Sequence, residues 1–367
     1  MRRASLCVAA LALAVSCRSS AQTQAPYGPP PPPLPDGYAR ALVGEGPSRF
    51  VFWRPLKRAR TLLILAEDEP ASLQVDRRDL LEIARARNMS VLFLGPEPQP
   101  DALRKALKGA GQGKRIGVAR GAAVEAFSDA AQEKLFDALL LEDAAAPAFG
   151  ADGPFVVELY GSDAFWRAAP RHEPSLAGPR RRHFFLAGAV LGPSGEEPCA
   201  APVNRRTSEP ARRALLVALD DYLSGGPAPP ASREAELAPA KSLAWPKIPG
   251  LPAPPANDRL APKIDVDGNE TSGLRLPDQA LPIATFTGWN ASRERTGCAA
   301  GAEYVFPSTR AARDASGDPR QSLVERYGAR SYFVAALRSV ANKLVKDRLL
   351  LSQDADAYVA AGKEAPF

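Results

Sequence analysis

From residue 60 onward, short unbroken apolar runs alternate with longer stretches in which apolar residues recur at helical spacing. The apolar runs are Arg60 to Ala66, Ser90 to Gly95, Lys114 to Ala119, Phe136 to Leu141, Phe155 to Tyr160 and His183 to Val190. Between and after them, the pattern predicts helices at Arg77 to Arg87, Asp101 to Gly109, Gly121 to Lys134 and Ser208 to Leu223, the last with Ser208 as its N-cap. Strands that are apolar throughout are buried on both faces, so the fold class is doubly wound α/β: a mostly parallel sheet with helices on both sides. A dinucleotide-binding sheet competes, but no strand leads into Gly-x-Gly-x-x-Gly, and Gly-x-x-x-x-Gly-Lys-Ser/Thr is also absent.

Beyond the sheet the pattern changes. Ala228 to Pro262 is rich in proline and is expected to cross the surface without regular structure. Asp265 to Glu270 carries three carboxylates and looks at first like a calcium loop, yet it lacks the twelve-residue calcium-loop spacing and reads better as a hairpin turn at Asp267-Gly268. Ser316 to Arg320 forms a turn, Ser322 caps a segment through Tyr327, and Ser331 to Asp347 places Phe333, Leu337, Val340 and Leu344 on one helical face. A last short helix opens at Ser352.

The N-terminus reads as a targeting segment. Met1-Arg2-Arg3 is basic, Leu6 to Val15 is apolar but too short to span a bilayer, and Ala14-Val15-Ser16-Cys17 fits a lipidation box. Plain cleavage near Ser19-Ser20-Ala21 is the alternative; by either route the mature chain is exported, as an outer-membrane or periplasmic lipoprotein or as a secreted soluble protein. Ala21 to Asp36, with Pro29 to Pro33 unbroken, is a stiff polyproline spacer. The expected divisions are thus 1–17 leader, 18–48 linker, 49–227 core, 228–262 crossing segment and 263–367 C-terminal region.

Loss of Arg2 and Arg3 reduces the formal charge from +6 to +4, and the arginines are scattered apart from Arg180-Arg181-Arg182, which is expected to flank a strand in solvent. Nucleic acid is therefore a poor partner. Cys7 leaves with the leader and Cys17 would carry lipid, which leaves Cys199 and Cys298 to form a disulfide in an oxidising compartment. With His172 and His183 as the only histidines, no zinc-ligand spacing arises, and neither a metal nor a cofactor is expected.

Candidate chemistry centres on Gly117-Val118-Ala119-Arg120-Gly121, a strand-to-helix junction laid out as the nucleophile elbow Gly-x-Ser-x-Gly with alanine in the serine position. In that arrangement the acid follows a later strand, where Glu158 and Asp163 are available, and the histidine follows the next, where Leu191 stands. The oxyanion donor would be the backbone N–H of Arg120. Ser128 and Ser162 are the nearby hydroxyls, and neither has a histidine placed by sequence to activate it.

Several segments resemble a bacterial family of exported α/β-hydrolase-domain proteins, distantly similar to esterases. They are Arg182 to Pro193, Arg212 to Ser232, Trp245 to Pro252, Asp265 to Asn290 and Phe306 to Phe333. The resemblance implies an α/β-hydrolase-like body with an irregular and helical C-terminal extension. Where the family reads along the lines of AGTQHGP, Leu191 takes the histidine position; where it reads like GFSQSG, Ala119 takes the serine position. It therefore implies a degenerate member, a pseudoenzyme holding an ester-like or lipidic ligand or a protein partner, and attached to the membrane by its lipid. The alternatives are an active ester hydrolase with a relocated nucleophile and a structural envelope lipoprotein.

Overall fold

The computed structural model describes residues 36–43, 50–66, 78–95, 98–110, 113–167, 178–191, 199–252, 254–255, 259–291, 298 and 300–367. Cys17, the leader, the polyproline stretch and His172 lie outside the described residues. Eight strands form the main sheet: β1 (Tyr38–Val43), β2 (Phe50–Pro55), β3 (Thr61–Ala66), β4 (Ser90–Leu94), β5 (Lys114–Arg120), β6 (Ala138–Glu142), β7 (Phe155–Gly161) and β8 (Arg181–Leu186). Their spatial order is β1-β2-β4-β3-β5-β6-β7-β8. The β1–β2 and β2–β4 pairs are antiparallel and all later pairs parallel.

Four helices alternate with these strands: α1 (Arg78–Ala86), α2 (Pro100–Gly109), α3 (Ala123–Gln132) and the short α4 (Ala164–Arg167). After β8 comes α5 (Glu209–Leu223). One face of the sheet packs Leu63, Val118, Leu140 and Val157 against Leu80 and Ile83 of α1 and Leu215 and Leu219 of α5. The other packs Ile64, Ala119 and Leu139 against Leu103 of α2 and Phe127 of α3. Because both faces are covered, β3, β4, β6 and β7 are buried at every position, which is why they read as continuous apolar runs. The result is an α/β-hydrolase-like fold with a helical C-terminal region.

Several expectations need correction. The stretch assigned to the linker ends in β1, which pairs with β2 over six residues of sheet. Ser208 holds the N-cap position of α5, but its hydroxyl makes no capping bond and its backbone is already helical. Arg181 is buried within β8, its guanidinium donating to the Ala146 carbonyl and lying 3.3 Å from Glu158 Oε1, so that part of the triple arginine is not in solvent. The crossing segment contains β9 (Leu237–Pro239), which pairs antiparallel with β10 (Leu260–Pro262).

The C-terminal region adds α6 (Pro277–Ala280), the pair β11 (Ala284–Phe286) and β12 (Glu303–Val305), and then α7 (Arg310–Ser316) and α8 (Leu323–Tyr327). It closes with α9 (Arg330–Lys346) and α10 (Ser352–Lys363). Ser322 and Glu325 form a reciprocal capping box at the start of α8. On α9 the buried residues are Phe333, Leu337 and Ala341, so the docked stripe runs through Ala341 instead of Val340. A partly buried Arg213–Asp354 ion pair joins α5 to α10. Among the described residues, no helix is long and apolar enough to cross a membrane.

Candidate functional site

Three connections meet at the carboxyl edge of the parallel strands: the turn after β5, the turn after β7 and the loop after β8. The first does not bend where the Gly-x-Ala-x-Gly spacing places it. Ala119 lies within β5, opposite Leu141 of β6, with its methyl buried in the α2/α3 side of the core. The chain turns at Gly121, whose φ of +58° is the left-handed backbone that glycine adopts at least cost. A Cβ built there would meet nothing within 4 Å. The bend therefore lies at Gly121, two residues beyond the expected position; Gly121 and Ala122 are both exposed, and Ala122 begins the helical backbone of α3. Arg120, the expected oxyanion residue, ends the strand and sends its guanidinium to the Leu191 carbonyl at 3.4 Å.

The other two segments do converge. Asp163 stands two residues past the end of β7 and is fully buried, and its Oδ1 accepts the Leu191 backbone N–H at 3.1 Å. A carboxylate thus faces the residue in the histidine position, but it is held by a backbone donor and the residue it faces is leucine. Glu158 is not at this edge. It lies mid-strand opposite His183, with Oε2 2.8 Å from His183 Nδ1 and Oε1 accepting the Ala146 N–H at 2.9 Å. His183 is thereby committed to a buried pair three residues before the end of β8. Asp143, a carboxylate missed in sequence, sits at the end of β6 with φ +50° and accepts the Gly161 N–H.

The C-terminal region closes over this edge. Glu270 is buried and accepts bonds from the Ser162 hydroxyl and the Gly188 N–H. Burial pushes its carboxyl up to about 7 against those two donors and the Arg206 charge. Arg206 is itself buried, pairs with Asp278, and donates to the Ala187 carbonyl and Gln279 Oε1 at 3.0 and 2.8 Å. A Cβ at Gly288 would lie 2.2 Å from Ser162 Oγ, so the backbone of that glycine rests directly on the turn after β7. Trp166, Trp245 and Trp289 pack edge to face beside it. Ser162 is fully buried, and Ser128 donates to the Val124 carbonyl within α3, so neither hydroxyl has the access an acyl nucleophile needs.

The carboxylates of the 265–270 turn are each engaged by protein donors. Asp265 Oδ1 accepts the N–H groups of Asp267 and Asn269, and Asp267 pairs with Arg326. Cys199 and Cys298 form a disulfide, with Cα atoms 5.3 Å apart.

A model of the family described as "alpha/beta hydrolase domain" matches residues 173–360, just over half of the 367 residues. The chain belongs to that α/β hydrolase domain family. The matched stretch contains Leu191, Arg206 and Glu270, whereas Ala119, Gly121 and Asp163 precede it. No curated protein matches the chain. Among solved structures, a lidless α/β serine hydrolase from Xanthomonas campestris is 12% identical over 42% of this chain and 85% of its own, with a TM-score of 0.28. Est1E from Butyrivibrio proteoclasticus is 9% identical over 40% and 87%, with a TM-score of 0.31. An S-formylglutathione hydrolase from Staphylococcus aureus is 9% identical over 35% and 80%, with a TM-score of 0.27. Similarity this low carries no argument about chemistry.

Proposed function

We propose that this chain is a catalytically inactive α/β-hydrolase domain, exported and held at the cell envelope through lipid on Cys17, and retained to hold an ester-like or lipidic ligand or a protein partner. The observation that supports inactivity most directly is the composition of the carboxyl edge. Residues 119 to 123 read Ala-Arg-Gly-Ala-Ala and offer no hydroxyl, thiol or carboxylate at the bend. Leu191 supplies no base beside Asp163. Acyl transfer by this route needs a nucleophile and an imidazole acting together, and loss of either costs about a millionfold.

A second reading has one observation in its favour: Ser162 Oγ is bonded to the Glu270 carboxylate, whose affinity for protons is raised. A hydrolase relocated to Ser162 would use that pair.

Purified protein treated with a fluorophosphonate probe distinguishes the two. Inactivity predicts no labelling and no hydrolysis of short p-nitrophenyl esters above the solvent rate. Labelling that Ser162→Ala abolishes would overturn it. Hydrolysis gained by Gly121→Ser with Leu191→His would locate the vacated positions at the bend and the β8 loop.

A further inference from the structure

The opposite edge of the sheet is built differently. There β3, β4 and β5 begin, with Thr61 opposite Lys114 and Leu62 opposite Ser90, and antiparallel β2 ends at Pro55. Between them opens a cleft of about 730 Å³ whose wall carries Arg54, Lys57, Arg58, Arg60 and Arg115 and, among the described residues, no acidic one. That volume suits a small-molecule ligand or a headgroup. Arg115 is tied to the Leu107 carbonyl at 3.0 Å and belongs to the frame. Arg54, Lys57, Arg58 and Arg60 are exposed, and none has a carboxylate within ion-pair distance among the described residues.

Some cations elsewhere are paired: Lys114 meets Asp137 at 3.0 Å, Arg104 meets Glu133 at 2.6 Å and Lys343 meets Asp347 at 2.8 Å. Others, such as Lys105, Lys108 and Lys363, are exposed without an ion pair among the described residues, but those are not packed four within seven residues around one cleft. Four unpaired cations within the seven residues Arg54 to Arg60 repel one another, and an anion in the cleft would relieve that repulsion. Guanidinium forks suit phosphate oxygens, which accept two parallel bonds from each fork. In the middle of the same run stands Leu56, lining the cleft and 77% exposed. A soluble polyanion has no use for that side chain. A lipid does, because its phosphate lies within a few ångströms of the acyl boundary.

We propose that this cleft docks the phosphate headgroup of an anionic lipid, with Arg54, Lys57, Arg58 and Arg60 around the phosphate and Leu56 entering the acyl boundary. Clusters of four or more Lys and Arg are the usual electrostatic footprint for such surfaces. The site is separate from the carboxyl edge and does not depend on whether that edge is reactive.

Co-sedimentation of the full chain with vesicles tests it. Vesicles of equimolar phosphatidylglycerol and phosphatidylcholine are compared with pure phosphatidylcholine, so that any N-terminal lipid contributes to both. The expected result is preference for the anionic vesicles. Arg58→Ala with Arg60→Ala lowers that preference roughly thirtyfold, at about fivefold per charge near the surface. Leu56→Ser lowers anionic-vesicle binding about tenfold. All three positions are exposed, and thermal melting confirms that each variant folds. Three results would each overturn the proposal: no preference in the native chain, a preference untouched by the arginine pair, or one untouched by Leu56→Ser. In the last case the cleft takes a soluble polyanion, and inorganic pyrophosphate would compete the vesicles off.

Discussion

The two edges of one sheet use charge in opposite ways. At the carboxyl edge, Asp163, Glu270, Arg206 and Asn204 are buried and spend their hydrogen-bonding capacity on protein groups, Asn204 bonding the carbonyls of Gly188 and Thr287. At the amino edge, four cations face solvent without a partner among the described residues. A hydrolase needs the first edge open and reactive, since a nucleophile must be approached by substrate. Here the turn after β7 and the loop after β8 are covered by Glu270 and Gly288, the bend at Gly121 is exposed but carries no reactive group, and the densely charged surface lies at the opposite edge of the sheet. Family membership defines the scaffold and leaves open which edge of it meets a ligand.

The largest expected effect measures how tightly the carboxyl edge is shut. A methyl at Gly301 would lie 1.9 Å from the Thr287 carbonyl oxygen, a distance that only a backbone shift relieves. Gly301→Ala is expected to cost about 3 kcal/mol or more. At Gly178, just before β8 on the amino side, the same methyl meets nothing within 4 Å. Gly178→Ala should change stability by less than about 1 kcal/mol. Urea unfolding of both variants checks the contrast, and equal costs would mean the carboxyl edge is loosely packed.

That contrast also explains what was legible in sequence. Strands β3 to β7 were readable because burial on both faces forbids polar interruptions. Strand β1 (Tyr-Ala-Arg-Ala-Leu-Val) is an edge strand with exposed side chains after a proline-rich stretch, so no continuous run marks it. The start of β8 is hidden by Arg181 and Arg182, charges that a sequence reading assigns to solvent until Glu158, on the neighbouring strand, supplies a buried partner. At the bend, Gly117 and Gly121 permit a turn at either side of Ala119; only the β5–β6 register, which carries the strand through Arg120, decides. Glu270 was not readable as a site residue, because its partners Ser162 and Gly188 are 108 and 82 positions away in the chain.

A second prediction uses the titration of that buried carboxyl. Burial, opposed by Ser162, Gly188 and Arg206, raises Glu270 from its ordinary 4.5 to about 7. A carboxyl raised on folding favours the protonated native state, so its contribution is complete below pH 4.5 and is lost as the pH rises through 7. The displacement corresponds to on the order of 3 kcal/mol. Melting temperature should therefore fall between pH 5 and 8. Glu270→Gln should flatten most of that slope, because an amide can still accept from Gly188 and donate to Ser162 Oγ. Asp265, also raised by burial, accounts for a residual slope. An unchanged slope in the Gln variant would show that the edge is not sealed around this group.

The smallest effect locates the vacated nucleophile position. If the bend is at Gly121, a hydroxymethyl there projects into open space and costs about 1 kcal/mol, the penalty for a non-glycine residue in left-handed backbone. A serine at Ala119, 1% exposed and surrounded by the α2/α3 core, would bury a hydroxyl without a ready partner, at about 1–3 kcal/mol. Thermal melts of Gly121→Ser and Ala119→Ser rank the two. Fluorophosphonate labelling of each variant combined with Leu191→His then shows which oxygen, if either, becomes reachable. If Ala119→Ser proves both the more stable and the more readily labelled, the strand ends earlier than its pairing with β6 implies, and the junction is an ordinary elbow lacking only its hydroxyl. If Gly121→Ser does, the scaffold's reactive position is glycine, and the motif spacing in the sequence points two residues short of it.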